Sequence, residues 1–182
     1  PSTSTTSVDV AADEIPVDVD PTAPLDDLVV RKITFPVAGP VTFSNDWGNC
    51  RGANCERRHL GNDLIGQRLQ PLLAAEDGTV EKISVSATGG NCLRLRMDDG
   101  WAWVYCHLNN DTPGTDDGAA SDWMVPSGIS EGVRVTAGTV IGFMGDSGNA
   151  ETSVPHLHIE LVRPDDQRVN PHWSILVASQ TA

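Results

Sequence analysis

The sequence predicts an all-β or β-rich domain, built as a sandwich or a rolled sheet. Its strand-like segments are short and are bounded by Gly, Pro, Asn and Asp. No long segment keeps the apolar period of 3.6 residues that marks an amphipathic helix. A brief helical turn is expected only over residues 66–73. The predicted strands are residues 31–35, 78–86, 91–97, 101–108, 139–144 and 156–162.

The first 28 residues differ in composition from the rest. They are rich in Ser, Thr, Asp, Val and Pro and contain no aromatic residue, so they predict a flexible acidic leader or linker. Residues 29–182 then form the folded domain. A strand that pairs with the domain and a propeptide segment over the cleft remain alternatives. Because the chain begins with Pro1 rather than methionine, we expect that a signal peptide has been removed.

The net charge of the chain limits the kinds of partner that it can bind by electrostatic attraction. A net charge of −13 over 182 residues argues against electrostatic binding to nucleic acid or to an anionic membrane. No run of about 18 apolar residues exists, so no membrane-spanning segment is predicted. We expect a monomer.

A pair of histidines in the last predicted strand suggests a metal site. Because strand side chains alternate between faces, His156, His158 and Glu160 share one face. A helix would point the two rings about 200° apart. Two adjacent imidazoles suit a transition metal or a general base, although a lone His-x-His is also compatible with a purely structural role.

Two further motifs supply partners for that pair. His59 and Asp63 are four residues apart, which places both on one side of a strand or a helix. Catalytic zinc usually has three protein ligands and a water, and these two residues with one histidine of the later pair make such a set. His107 ends an aromatic strand and provides a third motif.

The four cysteines are predicted to form two disulfides. A three-residue turn at residues 98–100 sets a hairpin register in which Cys92 lies opposite Cys106, and this leaves Cys50 to pair with Cys55. Zinc binding by the C-x4-C segment is the rival interpretation. The register also pairs, on the aromatic face, Met97 with Trp101, Leu95 with Trp103, Leu93 with Tyr105 and Asn91 with His107. Disulfides indicate an oxidising compartment.

Taken in order, the three motifs resemble the zinc metallopeptidases of the lysostaphin and LytM type, the M23 family, which are mostly peptidoglycan endopeptidases. The resemblance covers residues 35–173. It departs from the family pattern at Thr152-Ser153-Val154-Pro155, where a T-G-P segment is usual. The resemblance rests on these segments: His59-x-x-x-Asp63, Tyr105-x-His107-Leu108, His156-x-His158, Asp77-Gly78-Thr79-Val80, the stretch from Gly132 to Gly142, and Asn170-Pro171.

The resemblance implies a rolled antiparallel sheet with long loops around a zinc cleft. It implies one zinc ion held by His59, Asp63 and His158, with His107 and His156 catalytic. The implied reaction is hydrolysis of amide bonds in peptidoglycan peptide crosslinks by a zinc-activated water, in a secreted or wall-associated protein. A non-catalytic relative that binds wall peptides or regulates another hydrolase is the alternative, and a peptidase of non-wall proteins is a weaker one.

The long connection over residues 109–129 is predicted to form a cleft wall, since such loops are usually functional or disordered. Trp123 and Met124 are its candidate substrate contacts. Its grouped carboxylates hint at calcium, but they lack the spacing of a twelve-residue calcium loop. His172 is expected to be structural, and Glu160 is either a partner that orients a ligand or a solvated carboxylate.

Overall fold

The computed structural model describes residues 28–119 and 122–181. The prediction of an all-β fold is confirmed, with one short helix added at the end of the chain. The elements are β1 (Cys50–Arg51), β2 (Arg57–Arg58), β3 (Asn62–Ile65), β4 (Pro71–Leu73), β5 (Gly78–Ser86), β6 (Gly90–Arg96), β7 (Ala102–Leu108), β8 (Arg134–Val135), β9 (Val140–Phe143), a 3₁₀ turn (Gly148–Ala150), β10 (His156–Val162), β11 (Arg168–Val169) and α1 (His172–Ser179).

A seven-stranded antiparallel sheet forms the body of the domain. Its strands lie in the order β11, β10, β7, β6, β5 and β8, and β3 pairs with the first half of β10. Strand β10 therefore has β7 on one side and both β3 and β11 on the other. Two small ribbons, β1 with β2 and β4 with β9, pair outside this sheet.

The two faces of the main sheet have different roles. Residues that alternate along β6, β7 and β10 build the main hydrophobic core on one face, and Trp103, Tyr105 and Ile159 in it are essentially inaccessible. The opposite face carries a small apolar cluster made of Cys92, Ala102, Val104, Cys106 and Val162. Because His158 lies directly opposite Cys106, the polar side chains of β10 share this second face.

Two local predictions were wrong, and one element was missed. Residues 31–35 form no strand, because their backbone makes isolated bonds, such as Thr34 N–H to the Ala75 carbonyl, instead of a ladder. Residues 66–73 make a turn and then β4 rather than a helical turn. Helix α1 was not predicted, since its eight residues are too few to show a clear apolar period.

Both disulfides join the predicted pairs of cysteines. Cys92 and Cys106 are bonded across β6 and β7, and Cys50 and Cys55 close the loop between β1 and β2. No cysteine is left for a metal. Within the described residues, no helix is long and apolar enough to cross a membrane.

Residues 1–27 lie outside the described part of the chain, so the predicted leader stays a prediction. Leu28 is exposed, whereas Val29 is partly buried against the core. We expect that a chain beginning at Val29 folds, binds zinc and hydrolyses its substrate about as well as the full chain. Melting temperature, zinc content and activity of the two proteins test this. A much more active truncated chain would identify an inhibitory prosegment, and an unfolded one would move the domain boundary towards Pro1.

Candidate metal and catalytic site

His59 and Asp63, four residues apart, converge with the distant His158 on one point above the sheet. His59 Nε2 lies 2.9 Å from His158 Nδ1 and 3.1 Å from Asp63 Oδ1, and His158 Nδ1 lies 3.0 Å from the same carboxylate oxygen. Ligands of a tetrahedral zinc stand about 3.3 Å apart for bonds of about 2.0 Å. Two imidazole nitrogens and one carboxylate oxygen therefore form a nearly equilateral triangle of the size and chemistry that zinc requires.

Strand pairing explains why these groups meet. Asp63 on β3 lies directly opposite His158 on β10, which in turn lies opposite Cys106 on β7. Directly paired residues of adjacent strands point to the same face of the sheet. The register of β3 against β10 therefore sets the Asp63–His158 contact, and His59 reaches it from the chain just before β3.

The glycine between the two motif residues is required for steric reasons. A Cβ atom on Gly61 would lie 2.5 Å from Cε1 of His158 and 2.8 Å from the carbonyl oxygen of Ile159. Both distances are far below van der Waals contact, and the backbone oxygen has little freedom to move. Gly61 therefore lets the His158 ring lie against the β3 strand.

We expect Gly61→Ala to lower zinc affinity by about 10–100-fold, the range found when the groups that position metal ligands are changed. The added methyl group displaces the His158 ring from the ligand triangle. Competition against a chromophoric chelator measures the affinity. Gly128→Ala is the control, because a Cβ there meets no atom within 4 Å; its φ of +90° adds a backbone cost that Gly61→Ala does not carry, so this control is the more demanding one for the fold. Zinc affinity equal to that of the unmodified protein in Gly61→Ala would contradict the steric argument.

Each ligand histidine has an acceptor on its other ring nitrogen. His59 Nδ1 lies 3.2 Å from the backbone oxygen of Asp46, and His158 Nε2 lies 3.4 Å from Glu160 Oε1. Arg168 in turn holds Glu160 at 2.7 Å. Such outer partners fix the tautomer and the orientation of a metal-binding imidazole. Of the two interpretations of Glu160, the structure favours the partner of His158, because the carboxylate is buried and not solvated.

The electrostatic field at the triangle of His59, Asp63 and His158 favours a positive charge. Burial disfavours the charged form of His158, but the hydrogen bonds that its ring donates to Asp63 and Glu160 outweigh this effect and raise its pKa to about 10. The pKa of Asp63 is lowered because hydrogen bonds and charge from His158 and His59 outweigh its own burial. A cation between these three groups is therefore stabilised, whether it is a proton or a metal ion.

A bulge in β7 brings His107 to the site. Strands β6 and β7 pair Leu93 with Tyr105, but the last aligned pair is Asn91 with Leu108, so β7 contains one extra residue. His107 has a φ of +59° at this point, which is rare for a residue with a side chain. The predicted pairing of Asn91 with His107 was wrong, and so was the position of His107 on the aromatic face.

His107 and His156 stand together beside the ligand triangle. Their ring centroids are 4.8 Å apart, and the His107 centroid lies 5.9 Å from that of His158. His107 Nδ1 lies 2.8 Å from the Ser147 carbonyl oxygen, and His156 Nδ1 lies 2.8 Å from the Val154 carbonyl oxygen. Since a carbonyl only accepts, Nδ1 donates in both rings, which leaves each Nε2 as a proton acceptor.

Burial keeps His107 neutral. It lowers the pKa of this ring to about 3, and the nearby charges of His158 and His156 act in the same direction. A neutral imidazole is the form that accepts a proton from water. The side chain of His156 is more open, with 12% exposed, and its Nε2 lies 4.0 Å from Asp63 Oδ1.

A cleft of about 350 Å³ opens over these five residues. It is open to solvent on one side, so an extended peptide could reach the triangle. Its other lining residues come from the β1–β2 ribbon, from the end of β3 and from the segments that precede β6 and β10: Arg51, Arg57, Ile65, Thr88, Asn149, Ser153 and Val154.

The predicted substrate contacts Trp123 and Met124 do not line this cleft. Met124 packs against the main core, and its carbonyl oxygen accepts a hydrogen bond from Phe143, which ties it to β9. Trp123 is 46% exposed. None of the described residues of the 109–129 connection lines the cleft, so the expectation that this connection forms the cleft wall was wrong.

The carboxylates grouped in that connection have a counter-ion of their own. Asp111 and Asp116 of the connection and Glu151, which follows the 3₁₀ turn, bring one oxygen each within 4.8 Å of one another. Arg68 Nε lies 2.7 Å from Asp111, and its Nη2 lies 3.0 Å from Asp116 and also contacts buried Asp146. A guanidinium thus supplies the positive charge that a calcium ion would bring.

Sequence reasoning missed several residues of the site, among them Asp46, Arg51 and Gly61. Asp46 accepts from His59, and its carboxylate also accepts from Asn62. Arg51 Nη2 lies 2.6 Å from Asp63 Oδ2, and Gly61 leaves room for His158. None belongs to a motif with metal-ligand spacing, and only the glycine inside the His59–Asp63 segment offered a signal. His172 lies outside the cleft and contacts Asn62, as expected for a structural histidine.

The fold and the five converging residues define the class of the protein as a metallopeptidase whose site lies on a β-sheet. Comparison with known proteins identifies the family. The profile described as Peptidase family M23 matches residues 57–171. This match covers more than half of the chain and includes all five residues. The chain belongs to peptidase family M23.

Two curated relatives are endopeptidases. The chain is 29% identical over 106 residues to the peptidoglycan DD-endopeptidase ShyC of Vibrio cholerae, a match that covers 58% of this chain and 20% of that protein. It is 27% identical over 153 residues to the L-Ala–D-Glu endopeptidase of Bacillus subtilis, which covers 81% of this chain and 42% of the relative. The chain therefore spans less than half the length of either relative.

Solved structures share the fold. The catalytic domain of lysostaphin from Staphylococcus simulans aligns with a TM-score of 0.58 at 23% identity, over 72% of this chain and 90% of that one. A LytM-type protein from Ruminococcus gnavus aligns with a TM-score of 0.63 at 21% identity, over 81% of this chain and 60% of that one. At this level of identity, both likenesses show the fold alone.

Proposed function

We propose that this chain is a zinc-dependent endopeptidase that hydrolyses amide bonds in peptidoglycan peptides. The observation that carries the proposal is the triangle of His59, Asp63 and His158 with two further imidazoles beside it. A binding protein would need neither the open metal position nor the two extra histidines. The non-catalytic alternative is not favoured, because all five functional groups are present and converge.

The three ligands would hold one zinc ion per chain. When bound there, zinc lowers the pKa of a coordinated water towards about 7 and polarises the carbonyl of the scissile amide. The two carboxylate oxygens of Asp63 make different contacts. Oδ1 faces the ligand histidines, and Oδ2 faces the guanidinium of Arg51. Arg51 thus holds Oδ2 and keeps Oδ1 turned towards the ligand nitrogens.

His107 and His156 move the protons of the reaction. Hydrolysis adds hydroxide to the carbonyl carbon, breaks the C–N bond and delivers a proton to the departing amine. Each ring presents an unprotonated Nε2, since its Nδ1–H is bonded to a backbone carbonyl. One imidazole accepts the proton of the attacking water at its Nε2 and donates that same proton to the amine nitrogen as the C–N bond breaks. The other, after it takes up a proton from solvent at Nε2, donates a hydrogen bond to the developing oxyanion and keeps that proton.

The substrate class comes from the relatives and the cleft. The two curated relatives are named for cutting different bonds, one a DD-crosslink and the other the L-Ala–D-Glu bond. We extend to this chain only what they share, a peptide of the bacterial wall. Two disulfides in so small a domain suit an extracytoplasmic location, where that substrate lies.

A digest of purified peptidoglycan tests the proposal. Zinc-loaded protein should release peptides with new amino termini, and mass spectrometry should identify the bond that has gained one water. The His156→Ala variant, loaded with zinc in the same way, is the control and should release little. If the protein bound to the insoluble wall without releasing any peptide, the non-catalytic alternative would replace the proposal.

A further inference from the structure

The ribbon of β1 and β2 places two arginines side by side at the mouth of the cleft. Arg51 on β1 lies directly opposite Arg57 on β2, and the Cys50–Cys55 disulfide closes the loop between them. Directly opposite residues of an antiparallel pair share one face, with Cβ atoms about 4.5–5.5 Å apart. Both side chains line the cleft that contains the ligand triangle. The disulfide limits how far this pair can move apart.

Two like charges placed directly opposite each other are unfavourable in a ribbon. Part of that cost is offset by Asp63, whose Oδ2 lies 2.6 Å from Arg51, and by Asp46 at 3.6 Å. Asp63 also faces the two ligand histidines with its other oxygen. Its single negative charge is thus shared between a guanidinium and the metal position.

The charge of the cleft opposes that of the whole chain. Among the described residues that line it, Asp63 is the one carboxylate, against the two guanidinium groups of Arg51 and Arg57, and the four histidines add no negative charge. The chain as a whole has a net charge of −13. A divalent cation at the triangle would make the cleft more positive still. An anionic group is therefore attracted to this cleft and repelled by most of the surrounding surface.

We propose that Arg57, with Arg51 beside it, forms a carboxylate-binding subsite that selects peptides with a free carboxylate near the scissile amide. A guanidinium matches a carboxylate with two parallel hydrogen bonds. A stem peptide with free carboxylates fits this subsite, whereas a glycine bridge or an amidated stem peptide offers no such group. The inference rests on the proposed function, since it names the substrate of the same site.

Neighbouring Arg58 offers a matched control. It lies opposite Cys50 and thus points to the other face of the ribbon, where its Nη1 donates to the Gly48 carbonyl at 3.0 Å. It does not line the cleft. Arg57→Gln and Arg58→Gln therefore remove the same charge from adjacent residues, and only the first removes it from the cleft.

The test measures binding and hydrolysis separately. Binding is measured in the zinc-loaded His156→Ala protein, with a stem peptide that carries free carboxylates and with the same peptide amidated at those carboxylates. We expect the acidic peptide to bind about tenfold more tightly, the size of one partly exposed charge-assisted pair. Adding Arg57→Gln should abolish this preference, while adding Arg58→Gln should preserve it, and zinc content should stay the same.

The outcomes separate this inference from the proposed function. Equal binding of both peptides, or a preference that survives Arg57→Gln, overturns the subsite even if both peptides are hydrolysed by the unmodified enzyme. A preference that disappears only with Arg57→Gln supports the subsite even if neither peptide is cut. Equal losses in the Arg57→Gln and Arg58→Gln proteins would show a general effect of charge and would also overturn it.

Discussion

Replacing Asp63 by alanine is expected to abolish zinc binding and hydrolysis together. The change removes the oxygen that lies 3.0 Å from His158 Nδ1 and 3.1 Å from His59 Nε2. Two histidines alone leave the metal with too few protein ligands for a stable site. It also removes the partner of Arg51 and leaves a second positive charge close to the metal position. Zinc content after dialysis, measured by atomic emission, should fall to near zero.

Replacing a surface carboxylate is the control for the loss of one negative charge. Asp122 is exposed and lies outside the cleft, so Asp122→Ala should keep full zinc content and activity. Comparing the melting temperatures of the metal-free proteins separates a ligand effect from a folding defect. If Asp63→Ala kept one zinc per chain in unchanged coordination, the assignment of Asp63 as a ligand would be wrong.

The part of the site that follows strand alternation could be predicted from the sequence. His156, His158 and Glu160 alternate with buried apolar residues along β10, and that pattern needs no tertiary information. The Cys92–Cys106 pairing followed from a short turn and the same alternation. In these regions, local geometry alone decides which face a side chain occupies.

The contacts that depend on an interruption of the strand alternation could not be predicted from the sequence. An unbulged β7 would place His107 on the core face with Tyr105, and only the extra residue and a φ of +59° turn it towards His156. A bulge is often marked by glycine, and no glycine stands in this strand. The stability of the surrounding sheet holds His107 in a conformation that its own sequence does not specify.

The residues that contact the metal ligands could not be predicted from the sequence either, for a different reason. Asp46, Arg51 and Arg168 lie only 13, 12 and 8 residues from His59, Asp63 and Glu160, but they reach these groups through loops and turns whose geometry has no repeating pattern. An isolated Asp or Arg in a loop has no spacing that marks it as a partner of a metal ligand. Helix α1 was missed because eight residues give barely two turns of periodicity.

Replacing His107 or His156 by alanine is expected to keep zinc and lose most activity. Neither ring contributes an atom to the triangle of ligand atoms, so the metal should remain at one per chain. Each ring nevertheless presents Nε2 to the site as a proton acceptor. Positioned acid–base groups contribute about 10²–10⁴-fold, so kcat should fall within that range while KM changes little.

The fifth histidine provides the control for this pair of variants. His172 lies outside the cleft, and its Nδ1 lies 3.0 Å from Asn62 Oδ1. His172→Asn retains a donor towards that oxygen and should keep near-normal kcat. Loss of zinc from His107→Ala or His156→Ala would make the affected residue a ligand. Near-normal turnover in both would remove these histidines from the mechanism, since the triangle would then hydrolyse the amide without the proton carriers that stand beside it.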